Sequence, residues 1–204
     1  MDAYEALKAD RVAAVIRAGR VADPPDLARA LAENGIRCVE FTFTIPAVLD
    51  AIEAAGGGDA VVGAGTVMTP EQAREAVAAG ARFVVSPVCA PVLAETCSEL
   101  GVPVFLGGFT PTEIAEAARA GATAVKLFPA RLGGPAYVKD LLGPFPDLAL
   151  IPSGGVDESN AREFLAAGAV AVYAGSSLAP PHLVAAGDHE EIARRAQVFV
   201  ASLS

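Results

Sequence analysis

Metals and nucleic acids find little to bind in this sequence. It has no tryptophan, two histidines and three cysteines, and 24 acidic residues outnumber 15 basic ones for a net charge of −9. Nucleic-acid binding needs a basic face, which that balance does not supply. Both histidines, His182 and His189, fall in the polar C-terminal segment, so a metal site built on a histidine cluster is not expected. Cys38, Cys89 and Cys97 are odd in number and lack metal-ligand spacing. They read as packed thiols of a reducing compartment, with Cys89, just after a strand, the one placed to line a site. No apolar run reaches the ~18 residues of a membrane span, because glycine, proline and charge interrupt each one. The opening MDAYEALKADR is a polar helical start without the apolar stretch of a signal peptide. The expectation is a soluble, cytoplasmic protein with no membrane or nucleic-acid partner.

What the sequence has in quantity is hydrophobic residues, 53% of 204, enough for one sizeable core. A theme repeats: an alanine-rich amphipathic helix, a glycine stop suited to a left-handed C-cap, then a short continuous apolar run. LAENGIRCVEF, AVAAGARFVVS, SELGVPVFLG, ARAGATAVKLF and LAAGAVAVYAG all follow it. Continuous runs fit parallel strands covered on both faces. Eight are predicted: Val12–Ile16, Cys38–Phe43, Ala60–Gly63, Phe83–Ser86, Val102–Leu106, Ala124–Leu127, Leu148–Ile151 and Val170–Ala174. Helices are expected between most of them, including Pro70–Ala79, Thr112–Arg119 and Glu158–Ala167, with Pro70 and Pro111 in first turns behind threonine caps. Asp188–Leu203 reads as a closing helix. Eight strand–helix alternations predict a single-domain (β/α)8 barrel over residues 1–204, with a short N-terminal helix. An open doubly wound sheet is the rival, but no strand leads into a GxGxxG or Walker loop.

Two strands carry residues that a buried strand should not. In ATAVKLFP, alternation sets Ala124, Lys126 and Phe128 on one side, and a closed barrel has no edge from which a lysine can reach water. Burial favours the neutral form of an amine, and neutral amines attack carbonyls to give imines. In CVEFTFT, alternation sets Cys38, Glu40, Thr42 and Thr44 on one side. Glu40 reads either as a plain ion-pair partner of Lys126 or as the carboxylate that moves protons beside an imine.

Polar groups also gather where barrel enzymes place their sites, at the C-terminal ends of strands. Arg17 ends the first strand, and its fork suits a carboxylate. Ser153-Gly154-Gly155 and Gly175-Ser176-Ser177 follow the seventh and eighth strands, the usual phosphate corner, where backbone N–H groups and a helix N-terminus hold an anion without added cations.

With Thr66, these residues resemble the class I pyruvate aldolases of the Entner–Doudoroff type, the 2-keto-3-deoxy-6-phosphogluconate (KDPG) and 4-hydroxy-2-oxoglutarate (KHG) aldolases. The likeness runs from about Val12 to Leu178. It is carried by GAGTV, Ser86-Pro87, TPTE at Thr110–Glu113, KLFPA, GPFP at Gly143–Pro146, PSGG and GSSL, in that order. The resemblance implies an imine between Lys126 and the pyruvate carbonyl, with Glu40 shuttling protons through a water. It implies that Thr66 bonds the pyruvyl unit while Pro87 and Phe128 pack on it. The phosphate of glyceraldehyde 3-phosphate would rest on Gly154, Gly155, Gly175 and Ser176. No metal or organic cofactor is implied, and a homotrimer is.

Three departures bear on substrate choice. Thr44 stands where many relatives carry an arginine for the substrate carboxylate, a task Arg17 would assume. Ser153 replaces a common threonine, keeping the hydroxyl, and Gly107 replaces a frequent proline. The phosphogalactonate epimer, or an unphosphorylated keto acid, therefore stands as an alternative substrate. A metal-free phosphosugar isomerase and a non-catalytic barrel are the readings from other classes.

Overall fold

Alternation along the strands sorts the apolar side chains into two cores. The computed structural model describes residues 2–204. Its strands are β1 (Val12–Ile16), β2 (Cys38–Thr42), β3 (Val61–Gly65), β4 (Val84–Val85), β5 (Val104–Gly108), β6 (Ala124–Leu127), β7 (Leu150–Pro152) and β8 (Val172–Ala174). All pair in parallel, in the order β7-β6-β5-β4-β3-β2-β1-β8. A parallel bridge from Ser153 to Tyr173 brings the two outer strands together and nearly closes the barrel. The expected (β/α)8 architecture is the one observed.

One core fills the space between strands and helices, with Val39, Phe41, Val62, Leu106, Val125, Leu127 and Phe164 among its buried members. The other lies inside the barrel and includes Val15, Cys38, Phe83, Val85, Phe105, Ile151 and Tyr173. Helix α1 (Ala3–Asp10) joins that inner core through Ala3, Ala6 and Leu7, and the Cys38 thiol donates to the Ala3 carbonyl at 3.6 Å. The N-terminal helix therefore seals the mouth at the start of the strands. Chemistry is left to the opposite mouth.

The two threonine caps act as the sequence predicts. The helix Pro70–Ala78 begins behind Thr69, whose hydroxyl accepts the Gln72 N–H. The helix Pro111–Arg119 begins with a full capping box between Thr110 and Glu113, which satisfies two unpaired amide donors at its start. The closing helix, His189–Ser202, starts behind Asp188, whose carboxylate accepts the Glu191 N–H. No helix of the described residues is long and apolar enough to cross a membrane.

Strand ends moved where glycines are structural rather than turn-forming. β3 runs on through Gly65, against an expected end at Gly63, because both glycines face inward neighbours. A Cβ on Gly63 would stand 2.4 Å from the Phe83 ring, and one on Gly65 only 1.8 Å from Glu40 Oε1. β5 lies two residues later than expected and ends on Gly107 and Gly108. The Gly107 N–H donates to the Val88 carbonyl at 3.1 Å, and a Cβ there would meet the Pro87 carbonyl carbon at 2.2 Å. A proline at this position has neither the N–H nor the room. β7 and β8 each begin two residues late, and β2 and β4 are shorter than expected. The helix predicted over Glu158–Ala167 is confined to Ala161–Ala166. The Asp157 carboxylate takes the Ser159 N–H and the Asn160 side chain takes the Asp157 N–H, which hold residues 157–160 in a turn instead.

Candidate active site

Lys126 sits in β6 between Gly107 of β5 and Ile151 of β7, and Glu40 sits in β2 between Val15 and Gly63. Both side chains point into the barrel, and there they meet: Lys126 Nζ lies 3.5 Å from Glu40 Oε1, with 5% and 0% of the side chains exposed. Space for the carboxylate comes from Gly65, which has no side chain to contest it. The contact is electrostatic rather than a formed hydrogen bond, since neither Glu40 oxygen has a hydrogen-bond partner among the described residues. Burial pushes the Glu40 carboxyl above its ordinary range, opposed by the Lys126 ammonium and more weakly by Arg17. A carboxyl so placed is a better proton acceptor than a solvated one.

Above the pair opens a cavity of about 470 Å³, walled by Lys126, Arg17, Pro87, Phe128, Ser153, Gly154, Gly155, Gly175 and Ser176. Nine of the twelve residues singled out from the sequence thus share one wall. Glu40 lies behind the lysine, buried. Thr66 is reached through Arg17, whose guanidinium donates to the threonine hydroxyl at 3.1 Å. Thr66 holds a left-handed backbone, φ 57°, uncommon for a β-branched residue and a form of strain that tends to collect at functional positions. Thr44 does not line the cavity. It is exposed, and its hydroxyl shares a 2.8 Å hydrogen bond with that of Thr42, which also donates to the Ile16 carbonyl. The arginine that reaches this cavity from the β1–β3 side is Arg17.

Three wall residues with polar side chains are not evident as site residues from the sequence: Tyr173, Arg131 and Asp157. The Tyr173 ring lies over Lys126, with Nζ 4.9 Å from its centroid, and only 1% of the residue is exposed. Burial, with the Glu40 charge adding to it, raises the phenol well above its ordinary value, so the hydroxyl keeps its proton. Cys89 stays off the wall, half-buried against the outer core. Among the described residues no group of three His, Cys, Asp or Glu side chains stands together as a metal site.

A family model described as KDPG and KHG aldolase matches residues 3–195. The chain belongs to this aldolase family. It is accordingly an aldolase, a lyase of carbon–carbon bonds. It is 41% identical over 197 residues to the 2-dehydro-3-deoxy-phosphogluconate aldolase of Treponema pallidum, covering 95% of this chain and 94% of that one. To the KHG/KDPG aldolase of Escherichia coli K12 it is 34% identical over 177 residues, 85% of this chain and 83% of the other. Its fold matches a crystal structure of the KDPG aldolase of Legionella pneumophila, with a TM-score of 0.88 at 29% identity over 98% of each chain. That structure holds pyruvate captured at low pH as a covalent carbinolamine intermediate.

Proposed function

We propose that this aldolase works through an imine on Lys126 and cleaves KDPG to pyruvate and glyceraldehyde 3-phosphate. KHG, which has the same 2-keto-4-hydroxy acid core, is its second substrate, giving pyruvate and glyoxylate. The observation that carries the reading is the buried Lys126–Glu40 pair opening onto a cavity that also holds an arginine and two glycine-rich loops. The carbinolamine in the Legionella relative supports it.

In this mechanism Lys126 Nζ adds to the C2 carbonyl, and loss of water leaves a protonated imine. A base takes the C4 hydroxyl proton as the C3–C4 bond breaks. The bonding pair moves into the C2–C3 bond and neutralises the imine nitrogen, giving an enamine while the aldehyde leaves. A proton added at C3 restores the imine, and water releases pyruvate and the free amine. Glu40, buried and raised, is the group that accepts and returns these protons. General acid–base help of this kind contributes roughly 10²- to 10⁴-fold. Arg17 and the Thr66 it holds bind the pyruvyl carboxylate and carbonyl, Pro87 and Phe128 pack on its carbons, and Ser153 offers a hydroxyl from the opposite wall. Gly154, Gly155, Gly175 and Ser176 receive the phosphate.

Thr44, tied to Thr42 and outside the cavity, leaves one arginine for the carboxylate, which favours testing the phosphogalactonate epimer beside KDPG. We further read the enzyme as a cytoplasmic homotrimer with three reduced thiols; light scattering tests the assembly. Pyruvate release from KDPG, its C4 epimer and KHG, followed through a coupled dehydrogenase, tests the activity. Turnover of none of the three by folded protein would refute the reading.

A further inference from the structure

We infer that Arg131 recognises the substrate phosphate and makes this aldolase prefer phosphorylated keto acids, an inference that rests on the phosphate-corner reading above. From the sequence alone that corner has no cation and relies on glycine amides and a helix N-terminus. The helices following β7 and β8 do not supply that terminus. They are six residues each and start at Ala161 and Pro181, beyond the glycines. On a protein of net charge −9 a local positive charge offsets the overall repulsion of a phosphate dianion, and the corner contains one.

Arg131 lies in the short turn Ala130–Leu132, which follows β6 after two intervening residues. Its backbone is locked to the glycine loop. The Arg131 N–H donates to the Gly154 carbonyl at 2.9 Å, and the Ala130 N–H donates to the Ser153 carbonyl at 2.7 Å. A Cβ on Gly155 would stand 2.5 Å from the Arg131 Cβ, so the two segments are in close contact. Gly154 and Gly155 both hold positive φ, 85° and 88°, which leaves Arg131 and their amides on one wall with Gly175 and Ser176.

The remaining cations of the cavity are engaged, Lys126 with Glu40 and Arg17 with Thr66. Among the described residues the Arg131 side chain makes no ion pair or hydrogen bond. The carboxylate on the same wall, Asp157, is turned to its own loop, where Oδ1 accepts the Ser159 N–H and hydroxyl at 2.9 and 2.5 Å. An exposed guanidinium fixed at its root beside two turned glycines is suited to grip a phosphate with two parallel N–H donors, as a lysine cannot.

The test compares kcat/KM for KDPG with that for unphosphorylated 2-keto-3-deoxygluconate, in wild type, Arg131→Ala and Arg131→Lys. The expected result is a fall in the phosphorylated-to-unphosphorylated ratio of roughly 10- to 100-fold in Arg131→Ala, expressed mainly in KM. Arg131→Lys should fall between, since it keeps a charge but loses the fork. Competitive inhibition by inorganic phosphate should weaken in the same order. A wild-type preference for KDPG that survives Arg131→Ala would overturn the role of Arg131 and leave the corner to the glycines. An equal loss on both substrates would also overturn it. A wild type that handles both substrates alike would instead refute the phosphate corner itself.

Discussion

Gly65 gives Glu40 its place: the position a Gly65 Cβ would take lies 1.8 Å from Glu40 Oε1 and 2.4 Å from its Cγ. The carboxylate that faces Lys126 therefore depends on the absence of a side chain one strand away. Glu40 is wholly buried, so it has no solvent into which to retreat.

Gly65→Ala should then act as an active-site substitution without touching a reacting group. The methyl displaces the carboxylate from Lys126, and kcat should fall by roughly 10²-fold or more, the low end of general acid–base help. Steady-state pyruvate release measures it. Unchanged kcat in a folded variant would mean that the carboxylate position does not matter.

Glu40→Gln should lower kcat by roughly 10²- to 10⁴-fold. Its effect on stability carries a pH signature. Burial raises the folded-state carboxyl above the ordinary value of 4.5, so the folded chain holds this proton more tightly than the unfolded one. That favours folding below the ordinary value and is lost as pH rises through the raised one. Urea midpoints of Glu40→Gln should gain on wild type as pH rises from the ordinary glutamate range toward neutrality. The wild-type activity profile should lose its acidic limb through the same raised titration.

Tyr173 separates ring from hydroxyl. A desolvated cation over an aromatic face is worth about 2 kcal/mol, and both the ammonium and the protonated imine of Lys126 are cations. Tyr173→Leu should reduce the fraction of enzyme held as pyruvate imine, whereas Tyr173→Phe, which keeps the ring, should retain it. Equal loss in both variants would assign the effect to the hydroxyl.

Lys126 and Glu40 were legible because a charged residue amid a strand has few uses other than chemistry, and the barrel followed from eight apolar runs behind glycine stops. Tyr173 was not, since tyrosine suits a strand on packing grounds and only the inward facing set by barrel closure gives it a partner. Arg131 lies two residues after Pro129 in what reads as a solvated turn, and its link to Gly154 and Gly155 crosses from one strand end to the next. Gly65 and Gly107, expected just beyond their strands, lie within them for a related reason. Glycine after an apolar run suggests a turn, while their neighbours require space. Thr44 shows the reverse: alternation assigned it to the site, but it lies past the end of β2, where its hydroxyl meets Thr42.

The imine on Lys126 is the claim on which the rest depends, and borohydride trapping tests it directly. The protein is incubated with pyruvate, reduced, digested and read by mass spectrometry. The account predicts a pyruvyl adduct on Lys126, absent without pyruvate and absent in Lys126→Arg, which keeps the charge but not the nucleophile. Folded wild type without an adduct, or with the adduct on Lys8 or Lys139 instead, would contradict it.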